Sequence, residues 1–150
     1  MRYFYILIVA GLLAACGSGK ESTDGSDQEM DHRTEVRLRQ YMVQGKRLYL
    51  THCANCHQKN GEGLAQLYPP LAKSDYLMSD LKRAACIIKN GVEGEITVSG
   101  RVFSQPMPGL ETLTPIEVAE ILTYVSNSWG NEAGISSTRD VSIWLKKCND

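Results

Sequence analysis

Apolar side chains along the chain change period several times, and each change marks an element. From Thr34 to about Thr51, Leu38, Tyr41, Met42, Leu48 and Tyr49 recur every three or four positions, the spacing of one helical face. Gly45 interrupts that stripe. A glycine in mid-helix costs about 1 kcal/mol against alanine, so it predicts a second helix crossing closely at that point. The crossing partner is expected at 115–129: Thr114 stands at the N-cap, Pro115 at the first position, and Glu117 completes a capping box. Val118, Leu122, Val125 and Trp129 form its stripe, and Gly130 ends it. A further helix is predicted over 79–90, capped by Ser79, with Leu81, Ala84, Ala85 and Ile88 facing inward. Between these helices the period shortens to two. Ile96, Val98, Val102 and Phe103 around Ser99-Gly100 read as a small hairpin. A last short amphipathic helix, 138–148, carries Val141, Trp144, Leu145 and Cys148 on one face.

The N-terminus has a different character. Arg2 precedes a continuous apolar run, Tyr3 to Leu13, followed by Ala14-Ala15, which is the layout of a secretory signal and too short for a confident membrane span. The stretch Leu13-Ala14-Ala15-Cys16-Gly17 resembles the lipobox of bacterial lipoproteins, which implies cleavage before Cys16 and lipidation of its sulfur. Multiple acyl chains give stable attachment to a membrane. Gly17 lacks the Asp that retains the enteric lipoproteins it resembles at the inner membrane, so the target leaflet stays open. Residues 17–34 have almost no apolar content and read as a flexible tether, reaching roughly 20–25 Å on average as a coil. The organisation expected is therefore a leader over 1–15, a lipidated and disordered segment over 16–34, one folded domain over 35–131, and an extension over 132–150.

Charge narrows the partners. The chain carries a formal net charge of −1, its Lys and Arg are interleaved with acids, and no basic field for nucleic acid exists.

The chemistry centres on Cys53-Ala54-Asn55-Cys56-His57. Two thiols three positions apart with an imidazole directly after them form the attachment signature of c-type haem. One helical turn presents both sulfurs to the two vinyl groups of a haem, and His57 then falls beneath the iron as an axial ligand. A thioredoxin-like redox pair would want a βαβ context, and a zinc site would want a second ligand pair. Neither is present, since Cys86 and Cys148 stand alone. A haem also supplies apolar area that a domain of about a hundred residues cannot easily assemble by itself.

With the haem motif, the Gly45/Tyr49 pattern opposite Leu122 and Tyr124, and the later stretch Met107-Pro108-Gly109 through Tyr124-Val125 to Trp129-Gly130-Asn131, the chain resembles class I c-type cytochromes over about residues 37–130. The resemblance implies an all-α cytochrome c fold wrapped around one covalently bound haem c, with the small hairpin before a distal methionine loop. It also implies that the proline after Tyr68-Pro69, Pro70, offers its carbonyl to the other imidazole nitrogen of His57. Asn60-Gly61-Glu62-Gly63 suits a backbone running close against the cofactor, or an ordinary surface turn. For the sixth coordination site His52 stands too close to His57 on the same turn. Met107, flanked by Pro106 and Pro108 in a restricted loop, is expected as the distal ligand on that chemistry and on the resemblance; Met78 or a vacant site are the alternatives. Met42 fits a core-filling role.

Cys86 falls on the outer flank of its helix, and the tail's apolar face needs something to cover. The tail is therefore expected to lie back over the 79–90 helix with Cys86 and Cys148 joined by a disulfide, in an oxidising compartment outside the cytoplasm. The function these features imply is a lipid-anchored, non-enzymatic carrier of single electrons on the periplasmic side. Its partners would be respiratory: a reductase, an oxidase or a quinol-oxidising complex. A subunit fixed in a larger oxidase or reductase is the first alternative, and a gas-binding or peroxidatic haem protein the second, should Met107 not ligate.

Overall fold

The computed structural model describes residues 24–148, with residues 24–30 as helical backbone alone. The leader, the lipobox with Cys16 and the first part of the tether lie outside the described residues. Among the described residues six helices and four short strands follow in the order α1 (Asp24–His52), α2 (Ala54–His57), α3 (Asp75–Ser79), α4 (Leu81–Asn90), β1 (Gly91–Val92), β2 (Ile96–Val98), β3 (Arg101–Phe103), β4 (Met107–Pro108), α5 (Pro115–Val125) and α6 (Thr138–Leu145).

The core is built on the crossing of α1 and α5. Gly45 sits at the crossing: a Cβ there would lie 2.0 Å from the carbonyl oxygen of Glu120 and 2.7 Å from the Cβ of Tyr124. The interrupted stripe thus has the cause expected of it, with Glu120 rather than Leu122 making the approach. Beside the crossing, Tyr49, Tyr124 and Trp129 pack mutually, with ring centroids 5.1–5.5 Å apart. Tyr49, Val118 and Leu122 are fully buried around them.

Helix α1 begins ten residues before the expected Thr34, so at least 24–34 of the expected tether is helical. Nucleation is the expensive step of helix formation, and once the packed turns around Tyr41–His52 exist, each residue added outward needs little further stabilisation. Residues 31–37 are all exposed along this projecting arm. The helix expected over 79–90 is α4, capped by Asp80 instead of Ser79, which belongs to a separate short helix, α3, before it. Ser79 ends α3 and donates to the Tyr76 carbonyl, while Asp80, in extended conformation, caps α4 by accepting from Arg83 N at 2.9 Å.

The capping box of α5 forms as the sequence predicts, with Glu117 accepting from both Thr114 N and Thr114 Oγ1. The helix stops at Val125, short of Trp129. Asn127 Nδ2 takes the Thr123 carbonyl at 2.8 Å, the acceptor that the next helical N–H would have used. A turn follows in which Trp129 has φ +56°.

The hairpin β2–β3 pairs antiparallel with Ile96 opposite Phe103, its turn carried by Ser99 and Gly100 at positive φ. A second antiparallel pair, β1 with β4, sets Val92 opposite Met107. Both are small, and the class is all-α. The tail is fastened at several points. Ser136 N donates to Thr123 Oγ1, Tyr41 bonds Thr138 through their hydroxyls, and α6 packs on α4 and α5 with Val141 fully buried. Cys86 and Cys148 are joined by a disulfide, as the two unmatched cysteines implied.

Candidate functional site

A cleft opens between the α2 segment, the loop after it, α4 and the β4 strand. Among the described residues its wall contains no Asp, Glu, Lys or Arg. Cys53, Cys56 and His57 line one part of it, and Met107 between Pro106 and Pro108 lines another. Local geometry explains the first group. Cys53 N still bonds the Tyr49 carbonyl at 2.8 Å, so α1 runs directly into the motif; Cys56 N and His57 N then both donate to Cys53 O, closing one tight turn. Gln58 ends it with φ +62°. Tyr49 Oη donates to Gln58 O at 2.5 Å, tying the end of that turn to the helix crossing.

His57 is 7 % exposed, and its Nδ1 bonds the carbonyl oxygen of Pro69 at 3.0 Å. The expected acceptor was Pro70. In a left-handed extended run, successive carbonyls point about 120° apart, so one of two adjacent prolines can face the imidazole. The bonds of Leu71 N and Ala72 N to Gly61 O, 2.7 and 2.9 Å, set the register that selects Pro69. With Nδ1 donating to a carbonyl, Nε2 keeps its lone pair and no described group bonds it. Burial lowers the pKa of His57, partly countered by the Pro69 bond, which favours the uncharged ring that a metal ligand requires.

The thiols are both free. Burial, with a smaller contribution from Cys56 beside it, pushes the Cys53 pKa up to about 12. A redox-active Cys-x-x-Cys lowers the pKa of its attacking thiol, so the shift runs opposite to thioredoxin-like chemistry. No group of three or more His, Cys, Asp or Glu side chains among the described residues could hold a metal ion by itself.

The chain's residues 42–129 match the family model described as Cytochrome c. The chain belongs to the cytochrome c family. It is 32% identical over 91 residues to cytochrome c-552 of Thermus thermophilus, spanning 58% of this chain and 69% of that one. It is also 31% identical over 104 residues to the cytochrome c subunit of the quinone alcohol dehydrogenase of Gluconacetobacter polyoxogenes, and 29% identical over 101 residues to that of Gluconobacter oxydans. There the match covers 67% and 65% of this chain but 22% and 21% of the subunits.

The cytochrome c family carries covalently bound haem c, and the residues of this cleft fit one. Two free thiols three positions apart stand beside a buried imidazole whose Nε2 no described group bonds, in an uncharged and largely apolar wall. Of the methionines whose side chains are described, Met107 alone lines the cleft; Met42 and Met78 pack against the core cluster instead. His52 is exposed and outside the wall.

Several wall residues were not legible from their own stretches. Ile87 faces the cleft with Ala84 and Ile88, a membership its position three after Ala84 allowed. Tyr68, Tyr76 and Phe103 join only through the tertiary fold. The glycine-rich turn does not line the cleft; a Cβ on Gly61 would meet the ring of Trp129, in the turn after α5, at 2.4 Å, and one on Gly63 would meet the Tyr68 carbonyl oxygen at 2.3 Å and that of Pro69 at 2.7 Å, so its closeness serves packing behind the site.

Proposed function

We propose that this cytochrome is a single-electron carrier holding one haem c, attached through Cys53 and Cys56, with His57 and Met107 as the two axial ligands. The observation that carries the reading is the convergence of those four side chains on one uncharged cleft. A haem c supplies reversible one-electron chemistry between ferric and ferrous iron. The chain's part is to hold and tune it. The Pro69 carbonyl fixes the His57 tautomer and makes Nε2 more basic. With His57 and Met107 as its ligands, the iron would have a higher potential than with two histidines and would leave no position for oxygen or peroxide. With both positions filled, no substrate bond is made or broken, and electron transfer is what remains.

Location and partners extend the same reading. Lipidation at Cys16 would anchor the domain outside the cytoplasm, beside respiratory redox proteins; among the described residues no helix is long and apolar enough to cross a membrane. The disulfide between Cys86 and Cys148 is in keeping with an oxidising compartment. A second reading is favoured by a specific likeness. Proteins named as cytochrome c subunits of a quinone alcohol dehydrogenase match this domain over about a fifth of their length, so the domain can equally serve as one fixed stage of a larger oxidoreductase.

The deciding experiment is the absorption spectrum of the oxidised protein, wild type and Met107→Ala, in the near-infrared region where sulfur bound to ferric haem absorbs. A band present in the wild type and lost in the variant supports the carrier. Its absence from the wild type, with an immediate spectral shift of the reduced protein under carbon monoxide, overturns it in favour of ligand-binding chemistry. Purification through detergent separates a carrier that comes away alone from a subunit that retains its complex.

A further inference from the structure

We propose that Lys89 is a positioning residue for Met107: its ammonium fastens the segment that follows Met107 to the end of α4 and so holds the thioether at the cleft wall. The inference rests on the reading of Met107 as the second axial ligand.

The local backbone holds Met107 weakly. Strand β4 is two residues long and pairs only with Gly91–Val92. Pro106 and Pro108 on either side have no N–H to donate. A two-stranded ladder of this length is not stable alone, so the loop must be secured elsewhere. It is secured downstream, on α4. Gly109 lies against the last turn of that helix so closely that a Cβ would stand 2.5 Å from the Asn90 carbonyl carbon and 2.8 Å from Lys89 O. Leu110 N donates to Ile88 O at 3.0 Å. The Lys89 side chain then reaches across and donates from one ammonium to two carbonyls of the same loop, Glu111 O at 2.5 Å and Leu113 O at 2.7 Å.

Position and charge make that clamp effective. Lys89 stands in the last turn of α4, where a cation is favoured by the helix dipole. Hydrogen bonds from a charged donor are about twice as strong as neutral ones. Glu117, in the first turn of α5, also feels the Lys89 charge, so the ammonium sits where α4, the loop and α5 meet. Ile87 and Ile88 on that same helix end line the cleft. The clamp therefore ties the methionine loop to a wall of the site.

The test is displacement of Met107 from ferric protein by added imidazole, followed through loss of the near-infrared sulfur band, in wild type, Lys89→Leu, Lys89→Gln and Lys89→Arg. Lys89→Leu should need roughly tenfold less imidazole, the loss expected of one charge-assisted bond. Lys89→Gln, with a weaker neutral donor, should fall between, and Lys89→Arg should return close to the wild type. Val141→Ala, in the buried face of α6, should lower the melting temperature without moving the imidazole midpoint. The inference is overturned if Lys89→Leu and Lys89→Gln titrate as the wild type does, or if they shift only as much as Val141→Ala does. A wild type whose band is absent, or unaffected by Met107→Ala, removes the ligation reading and the inference together, a result distinct from an unshifted midpoint.

Discussion

Tyr49 Oη lies 2.5 Å from the backbone oxygen of Gln58, and this bond couples the helix crossing to the haem motif. Tyr49 is fully buried in the aromatic cluster with Tyr124 and Trp129. Its hydroxyl nevertheless finds an acceptor one residue beyond His57, and burial raises its pKa well above the ordinary phenol range. Replacing Tyr49 by Phe keeps the ring and removes the bond. The expected loss is about 1 kcal/mol of stability, seen as a melting temperature lower by roughly 4–8 °C. An unchanged melting temperature would mean that the turn needs no such anchor.

Gly45→Ala should be far more damaging than its size implies. The added methyl would lie 2.0 Å from Glu120 O, a backbone atom that cannot swing aside. Helices α1 and α5 must separate or shift, and overpacking of this kind costs about 1–3 kcal/mol even though alanine is the better helix former. Chemical denaturation of the variant gives the number; a stabilised protein would show that the crossing can slide.

The contrast between these residues and others explains what the sequence could reveal. Gly45, the capping box at Thr114 and Glu117, and the haem motif are each complete within one turn or one short motif, so residue type and spacing suffice. The disulfide was accessible because only two cysteines were left to pair. Pro69 against Pro70 could not be decided, since the choice depends on which carbonyl the loop through Gly61 turns inward. The same holds for the pairing of Val92 with Met107, two-residue strands that only the folded chain brings together. The start of α1 is not legible because polar composition argues for coil, while a helix nucleated by its packed end extends regardless of it.

The tail staple closes a loop with a sequence separation of 62 residues. In the chain-entropy model such a loop contributes roughly 4 kcal/mol by restricting the unfolded chain. Cys148→Ser should therefore lower the denaturant midpoint by a corresponding amount, and reductant should bring the wild type to the same midpoint. Val141 and the bond between Tyr41 and Thr138 would still hold α6 in place, so the haem spectrum should be unchanged. A midpoint insensitive to both treatments would show that the staple adds nothing to the packed tail.

Acid should weaken the capping box of α5. Glu117 accepts from Thr114 N at 2.8 Å and from Thr114 Oγ1 at 2.7 Å, and these bonds hold its carboxyl below the ordinary value of 4.5. A group whose folded pKa is depressed stabilises the fold fully above its unfolded pKa, and that contribution is lost as the pH falls through the lower folded value. Glu117→Gln should thus leave a smaller fall in stability between pH 4.5 and the acid limit than the wild type shows, while its own stability at neutral pH is reduced. Because the carboxylate is exposed, the difference should be modest and should shrink with added salt. Denaturation profiles at neutral and acid pH for the two proteins check the sign: parallel curves would mean that the charge on Glu117 has no part in the cap, and that Thr114 and Pro115 start the helix unaided.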